Sequence, residues 1–373
     1  MDLFDKTTIN GMTLRNRIIR SATWEGMCGP DGRPTEKLAA LYGTLARGGV
    51  GLIVTGFAFV RPEGKQMPGK MGLHSDEFAP DVERLTAAVH DSGGAIAVQL
   101  VHAGGQASSE TAGRRPLAPS AVKVDQFPEV PEAMTPDQID AVVSAFADAA
   151  GRAKAWGFDG VQLHGAHGYL INQFLSPLTN RRTDDYGGGI EDRSRFMMAV
   201  YHSVREAVGG GYPVMIKLNA ADNIEGGLTF EDALYAAKAL DRAGIDAIEV
   251  SAGTPASGAK GPARARIDRP EREAYNLSLA RGIKEAVGCP VMAVGGIRSF
   301  ETAVKAVGPE GVDYVSMSRP LIREPDLVRR WQDGDRRPAG CISCNRCFRP
   351  GREEGGIYCV AEKKEREKKE KKP

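Results

Sequence analysis

The sequence lacks any apolar run approaching the roughly 18 residues that a bilayer-spanning helix requires. Its first twenty residues also lack the charged-then-apolar order of a secretory leader. Neither a membrane span nor export is expected, which leaves the cytoplasm as the expected compartment. An excess of one charge is missing as well, since 49 Lys and Arg stand against 48 Asp and Glu. Residues 362–373 hold 7 basic and 4 acidic side chains, so the other 361 residues carry 42 basic against 44 acidic groups, a net charge of −2. A body with that balance has no electrostatic basis for gripping nucleic acid. Cysteine is scarce: there are six in 373 residues, four of them between Cys341 and Cys359. That distribution argues against a disulfide framework and marks one local site.

Short apolar, β-branched runs recur at Arg17–Thr23, Val50–Thr55, Ala95–Val101, Asp159–His164, Pro213–Leu218, Asp246–Ser251, Pro290–Gly295 and Val312–Met317. Segments of helical period separate them. The clearest is Thr135–Trp156, with Ile139, Val142, Val143, Phe146, Ala150 and Ala153 on one stripe. Thr135 reads as its N-cap, Pro136 as its first helical residue, Gln138 as the partner in a capping box and Gly157 as its stop. Strands apolar on both faces imply a parallel sheet covered by helices. A doubly wound open sheet would satisfy that condition, but eight strand–helix units match the count of a closed (β/α)8 TIM barrel. The expected layout is an α/β barrel over residues 1–335, a Cys-rich extension over 336–361 and a charged, partly disordered tail over 362–373. At the start, Thr8–Thr13 reads as a hairpin turning at Asn10-Gly11, placed to plug the barrel's amino-terminal mouth.

Three connections, Val101–Met134, Gly165–Ile190 and Ala252–Arg272, are too long for plain turns, and all follow strand carboxyl ends, where barrels build active sites. The fourth strand runs out through His164 to His167 and Tyr169. Two imidazoles three residues apart can ligate a metal, share donation to one carbonyl or anionic oxygen, or simply be satisfied inside the rim. Gly295 and Gly296 close the seventh strand, and Ser318 and Arg319 follow the eighth. Bare backbone N–H groups and a guanidinium then meet where barrels commonly hold a phosphate, although a Gly-Gly pair can equally serve a tight turn. Gln99 and Lys217 add polar groups to the same mouth.

The stretch from His164 to Gly188, with Leu14–Ile18 and Gln99–Gly104, strongly resembles the Old Yellow Enzyme family of FMN-dependent ene-reductases. The resemblance spans roughly Leu3 to Arg330. It implies an FMN across the barrel mouth, with Ala22 and Thr23 beside it, Gln99 at its pyrimidine end and Lys217 near N1 and O2. Gly295, Gly296, Ser318 and Arg319 would hold the phosphate. His164 and His167 would grip the oxygen of a small unsaturated carbonyl substrate, Tyr169 would deliver a proton, and NADH or NADPH would serve as reductant. Many single-domain relatives carry cysteine and tyrosine where this chain has Trp24 and Gly26, which leaves one pocket wall and the redox tuning open.

Cys341, Cys344, Cys347 and Cys359 could hold a cubane cluster or a zinc ion. The spacing resembles the [4Fe–4S] site of the larger branch that includes trimethylamine dehydrogenase and 2,4-dienoyl-CoA reductase. An electron-transfer subunit working with a redox partner protein is therefore one rival to the ene-reductase, and a flavin-free lyase or isomerase is another. A homo-oligomer is compatible with the sequence.

Overall fold

The computed structural model describes residues 2–370. At its centre lie eight strands: β1 (Ile18–Arg20), β2 (Leu52–Val54), β3 (Ile96–Val101), β4 (Gly160–Gly165), β5 (Val214–Asn219), β6 (Ala247–Ser251), β7 (Val291–Val294) and β8 (Tyr314–Met317). Neighbours in sequence pair in parallel, and β8 pairs with β1, so the sheet closes into a (β/α)8 barrel. Helices α1 (Glu36–Arg47), α2 (Ala79–His90), α3 (Pro136–Ala155), α4 (Arg195–Val208), α5 (Phe230–Arg242), α6 (Leu277–Lys284), α7 (Phe300–Ala306) and α8 (Leu327–Gln332) follow the strands in order.

The local signals in the sequence act as expected for α3. Thr135 accepts from the Gln138 N–H while Gln138 reaches back to the Thr135 N–H, satisfying two donors that a helix start leaves orphaned. Gly157 ends the helix at φ +87°, a backbone state open to glycine at little strain. Its buried stripe comprises Ile139, Val142, Phe146, Ala149, Ala150 and Ala153; Val143 sits at the edge of the stripe, half-buried.

The amino-terminal hairpin pairs Thr7–Ile9 with Met12–Leu14 around Asn10, whose φ is +49°. Ile9, Met12 and Leu14 pack against the inward side chains Ile19, Leu52, Val54, Ala97, Met215, Ala247, Met292 and Tyr314. The hairpin thus closes one end of the barrel with apolar surface and leaves the other end for polar work.

Beyond α8 the chain returns over that second end. Backbone bonds pin it there: Ala339 N–H to Arg298 O, Arg266 N–H to Ser343 O and Ile357 N–H to Glu25 O. A short helix, Phe348–Glu353, lies in this return. The expectation of a partly disordered tail from Glu362 needs correction, because Val360–Glu370 is helix α9. Glu, Lys and Arg are good helix formers, and Glu362 and Glu365 precede Arg366 and Lys369 by four residues. The absence of an apolar stripe leaves α9 exposed, tied by an Arg323–Glu365 ion pair of 2.6 Å. Residues 371–373 of that expected tail lie outside the described residues. Among the described residues, no helix is long and apolar enough to cross a membrane.

Candidate active site

A cavity of about 230 Å³ opens at the carboxyl end of the barrel. It brings together every residue expected there: Ala22 and Thr23 after β1, Gln99 on β3, His164 on β4 with His167 and Tyr169 beyond it, Lys217 on β5, Gly295 and Gly296 after β7, and Ser318 and Arg319 after β8.

The floor is a connected polar chain inside the barrel. Gln99 Nε2 donates to Gln162 Oε1 at 2.7 Å, and Gln162 Nε2 donates to Glu249 Oε2 at 2.9 Å. The same carboxylate oxygen lies 3.2 Å from Lys217 Nζ, which also donates to Ser21 Oγ at 2.8 Å. Glu249 is fully buried and Lys217 nearly so. Sequence reasoning missed Gln162, Glu249 and Ser21. The available signal was a carboxylate in Ile248-Glu249-Val250, a strand otherwise apolar on both faces, since a buried charge persists where a partner is built for it.

The wall carries the two imidazoles. Their rings lie 5.2 Å apart edge to face, and the Tyr169 ring is 4.7 Å from His164. His167 Nε2 lies 2.7 Å from Ser251 Oγ, whereas His164 Nδ1 is buried with no partner. Tyr169 donates its hydroxyl to Gln66 Oε1 at 2.9 Å. Burial, reinforced by the neighbouring Lys217, lowers His167 to about 3 and holds His164 well below the ordinary imidazole range. Burial also raises the Tyr169 phenol, which stays protonated.

Getting those groups to the wall requires a sharp turn. His167 and Gly168 adopt φ of +61° and +76°, and buried side chains from within and before the motif satisfy the loop backbone. Asn172 Oδ1 accepts from the Gly168 N–H, Gln173 Nε2 donates to Gly168 O and Ala103 O, and Gln106 Nε2 donates to His167 O. Much of the long sequence motif after His164 is therefore scaffolding for the turn.

The glycine at position 26 has a structural cause, whereas nothing in the structure explains the tryptophan at position 24. Gly26 sits at φ +67° with the Gly351 backbone where a side chain would project, and a Cβ on Gly351 would in turn meet the Trp24 ring at 3.0 Å. The carboxyl-terminal return fills the space that a tyrosine at position 26 would need. Trp24 lines the cavity, as do Ser343 and Phe348 from the return itself.

Cys341, Cys344, Cys347 and Cys359 border a second, small cavity, and Arg319 borders both cavities. Among the described residues, no three His, Cys, Asp or Glu side chains converge closely enough to hold a single metal ion. Cys28 and Cys289 lie apart from this group.

Two outcomes follow from this geometry. Unfolding lets the depressed imidazoles take up protons near their ordinary value of about 6.5. Stability is therefore full above that pH and falls as pH drops from about 6.5 toward 3, by up to about 1.4 kcal/mol per pH unit for each imidazole. Calorimetry between pH 6.5 and 5 should show this slope, and His167→Gln should reduce it. Separately, Gly26→Ala should add about 1–2 kcal/mol of left-handed strain and push on Gly351. Limited proteolysis with mass mapping should then show earlier cleavage after Gly340, with the barrel fragment still resistant.

Residues 2–337 match the family described as NADH:flavin oxidoreductase / NADH oxidase. An NADH oxidase of Thermoanaerobacter brockii is 38% identical over 349 residues, covering 92% of this chain and 53% of that protein, so the chain spans about half the length of that relative. A 2-naphthoyl-CoA reductase solved with 2-naphthoyl-CoA superposes with a TM-score of 0.85 at 28% identity, over 93% of this chain and 54% of its own. The Old Yellow Enzyme homologue of Zymomonas mobilis gives 0.77 at 31% identity, over 89% of this chain and 93% of its own. With a family match across nearly the whole barrel and a relative 38% identical over 92% of its length, this chain belongs to the NADH:flavin oxidoreductase / NADH oxidase family.

Proposed function

We propose that the chain is an FMN-dependent oxidoreductase that takes reducing equivalents from NAD(P)H and reduces a small alkene conjugated to a carbonyl group. The observation that carries this reading is the pairing of two neutral imidazoles and a protonated phenol on one wall of a cavity with a lysine on its floor. Residues 1–335 would form the catalytic barrel, with 336–361 as its metal-bearing companion.

The donor set suits FMN. Lys217 would offer positive charge to the pyrimidine side and Gln99 an amide, with Ala22 and Thr23 alongside. Gly295 and Gly296 with Ser318 and Arg319 would hold the phosphate. Ser316 Oγ, which lines the cavity, is buried without a partner and so retains hydrogen-bonding capacity for a ligand. When bound, FMN supplies the hydride that reaches the β-carbon of the alkene. The chain's own residues prepare the substrate for it. A neutral imidazole has one N–H, so His164 and His167 can each donate once to the carbonyl oxygen, drawing electron density out of the double bond and stabilising the oxyanion that develops. Tyr169 holds a proton for the α-carbon. Hydride and proton together saturate the bond, and NAD(P)H is oxidised.

The cysteine segment supports a second reading, an FMN and [4Fe–4S] electron-transfer unit working with a separate redox protein. Four thiolates on one zinc would stand roughly 3.8 Å apart, given tetrahedral bonds of about 2.3 Å. A cubane takes one thiolate at each iron and needs four thiolates around a wider ring, and Cys341, Cys344, Cys347 and Cys359 border one cavity. Iron, sulfide and zinc analysis of anaerobically purified protein separates the two metals; zinc without iron ends the electron-transfer reading.

His164→Ala and His167→Ala should each leave FMN bound and reducible by NAD(P)H while slowing reoxidation by an enone about 100- to 1000-fold, the usual loss for one well-placed oxyanion donor. Stopped-flow measurement of the two half-reactions checks this, and unchanged enone turnover in both variants defeats the proposed clamp.

A further inference from the structure

Lys70 belongs to none of the machinery described above, yet it lines the same cavity. It follows Gly69, which has φ of +70° and packs its backbone against Gly26, so two glycines in contact let this loop enter the pocket wall. Lys70 as a residue is 3% exposed. Among the described residues, nothing accepts a hydrogen bond from its amine and no carboxylate pairs with it. The nearby Glu25 is engaged by Arg20 Nη2 at 2.6 Å and Tyr42 Oη at 2.8 Å.

What Lys70 does have is aromatic. Nζ lies 3.3 Å from the Phe57 ring centroid and 5.6 Å from that of Trp24. Such contacts attract a cation but accept no classical hydrogen bond, so the amine's three donors remain available to a ligand in the cavity. Burial accordingly pulls the amine well below the usual lysine range. The Phe57 ring is also 5.9 Å from the His164 ring. Amine and imidazole thus both lie near one aromatic ring, and all three side chains line the same cavity.

Building on the ene-reductase reading, we propose that Lys70 is a specificity-determining residue that selects unsaturated carbonyl substrates carrying a carboxylate beyond the double bond. The carbonyl oxygen sits on His164 and His167, the conjugated chain lies along Phe57, and the carboxylate reaches the Lys70 amine. The incoming carboxylate favours the charged amine, so Lys70 takes up a proton from solvent as the ligand binds, and the two then form a charge-assisted hydrogen bond in a largely buried site. A neutral ester of the same shape lacks that partner.

The test uses a pair of compounds differing in charge, trans-4-oxo-2-pentenoate and its methyl ester, with the saturated 4-oxopentanoate and its methyl ester as unreactive ligands. Binding of the saturated pair to the FMN-loaded protein is measured by calorimetric titration, and kcat/KM is measured for the unsaturated pair. Wild type should favour each acid over its ester. Lys70→Met should cut that preference about 10- to 100-fold, the range for losing a hydrogen bond to a charged group. Lys70→Arg should retain most of it. Equal binding of 4-oxopentanoate and its ester by wild type overturns the proposal with no variant needed, as does an unchanged preference in Lys70→Met. If wild type reduces neither unsaturated compound, the ene-reductase reading fails, and the binding ratio still decides the role of Lys70.

Discussion

A lysine placed inside a closed barrel has to be given a counter-charge, and the mouth of this barrel is arranged around that requirement. Lys217 Nζ reaches Glu249 at 3.2 Å in a region from which solvent is excluded. Removing water from two ions costs several kcal/mol each, recovered only when their remaining lone pairs and protons are also bonded. Gln162 donates to the same carboxylate, Ser21 accepts from the lysine, and Gln99 continues the chain to β3. Four adjacent strands and the end of β1 are thereby committed to one polar network. It can exist because the hairpin side chains Ile9, Met12 and Leu14 seal the opposite end with apolar contacts, which keeps the network in a single water-poor compartment.

The framework was legible in the sequence because its signals are local. Each strand is a short, largely apolar run, and α3 announces its own start with Thr135, Pro136 and Gln138. The polar strand-end residues stood out because barrel chemistry collects at strand carboxyl ends, Ala22 and Thr23 entered through the family resemblance, and the structure places all of them around one cavity. What stayed hidden depends on partners distant in sequence. Glu249 makes sense only beside Lys217 and Gln162, and Gly26 only once Gly351 is found against it, 325 residues later. Lys70 occupies a loop with no period to read. The tail was misread for a different reason: periodicity reports whether a helix is buried, while helix propensity and spaced charges can sustain an exposed one.

The carboxyl-terminal return is part of the site as well as a covering for it. Its backbone is bonded to the loops after β6 and β7 and to Glu25 beyond β1, and its Ser343 and Phe348 line the main cavity. Arg319 donates to Asn345 Oδ1 in this segment at 2.6 Å while bordering both the main cavity and the cysteine cavity. The pairing of Gly26 with this segment also explains why the wall cannot carry a tyrosine there. The space is already taken by main chain, and Trp24 supplies the aromatic surface in its place.

Charge state differs across the cavity although the same exclusion of water acts on all sides. Lys217 has a carboxylate built beside it. His164 and His167 have none, and the charges nearest them are positive, so burial and repulsion act together to keep both rings neutral. The result is an ordered field, with an ion pair at the floor and uncharged donors at the wall. Imidazolium rings would bind an anion strongly before any reaction occurred and would gain little as charge moved onto a carbonyl oxygen. On the proposed reading, neutral rings would bind a carbonyl weakly and a developing oxyanion more strongly, and only such a difference between ground state and transition state accelerates a reaction. The counter-charge beneath Lys217 and its absence beside the two histidines therefore belong to one arrangement, in which burial sets where charge is already present and where it can still develop.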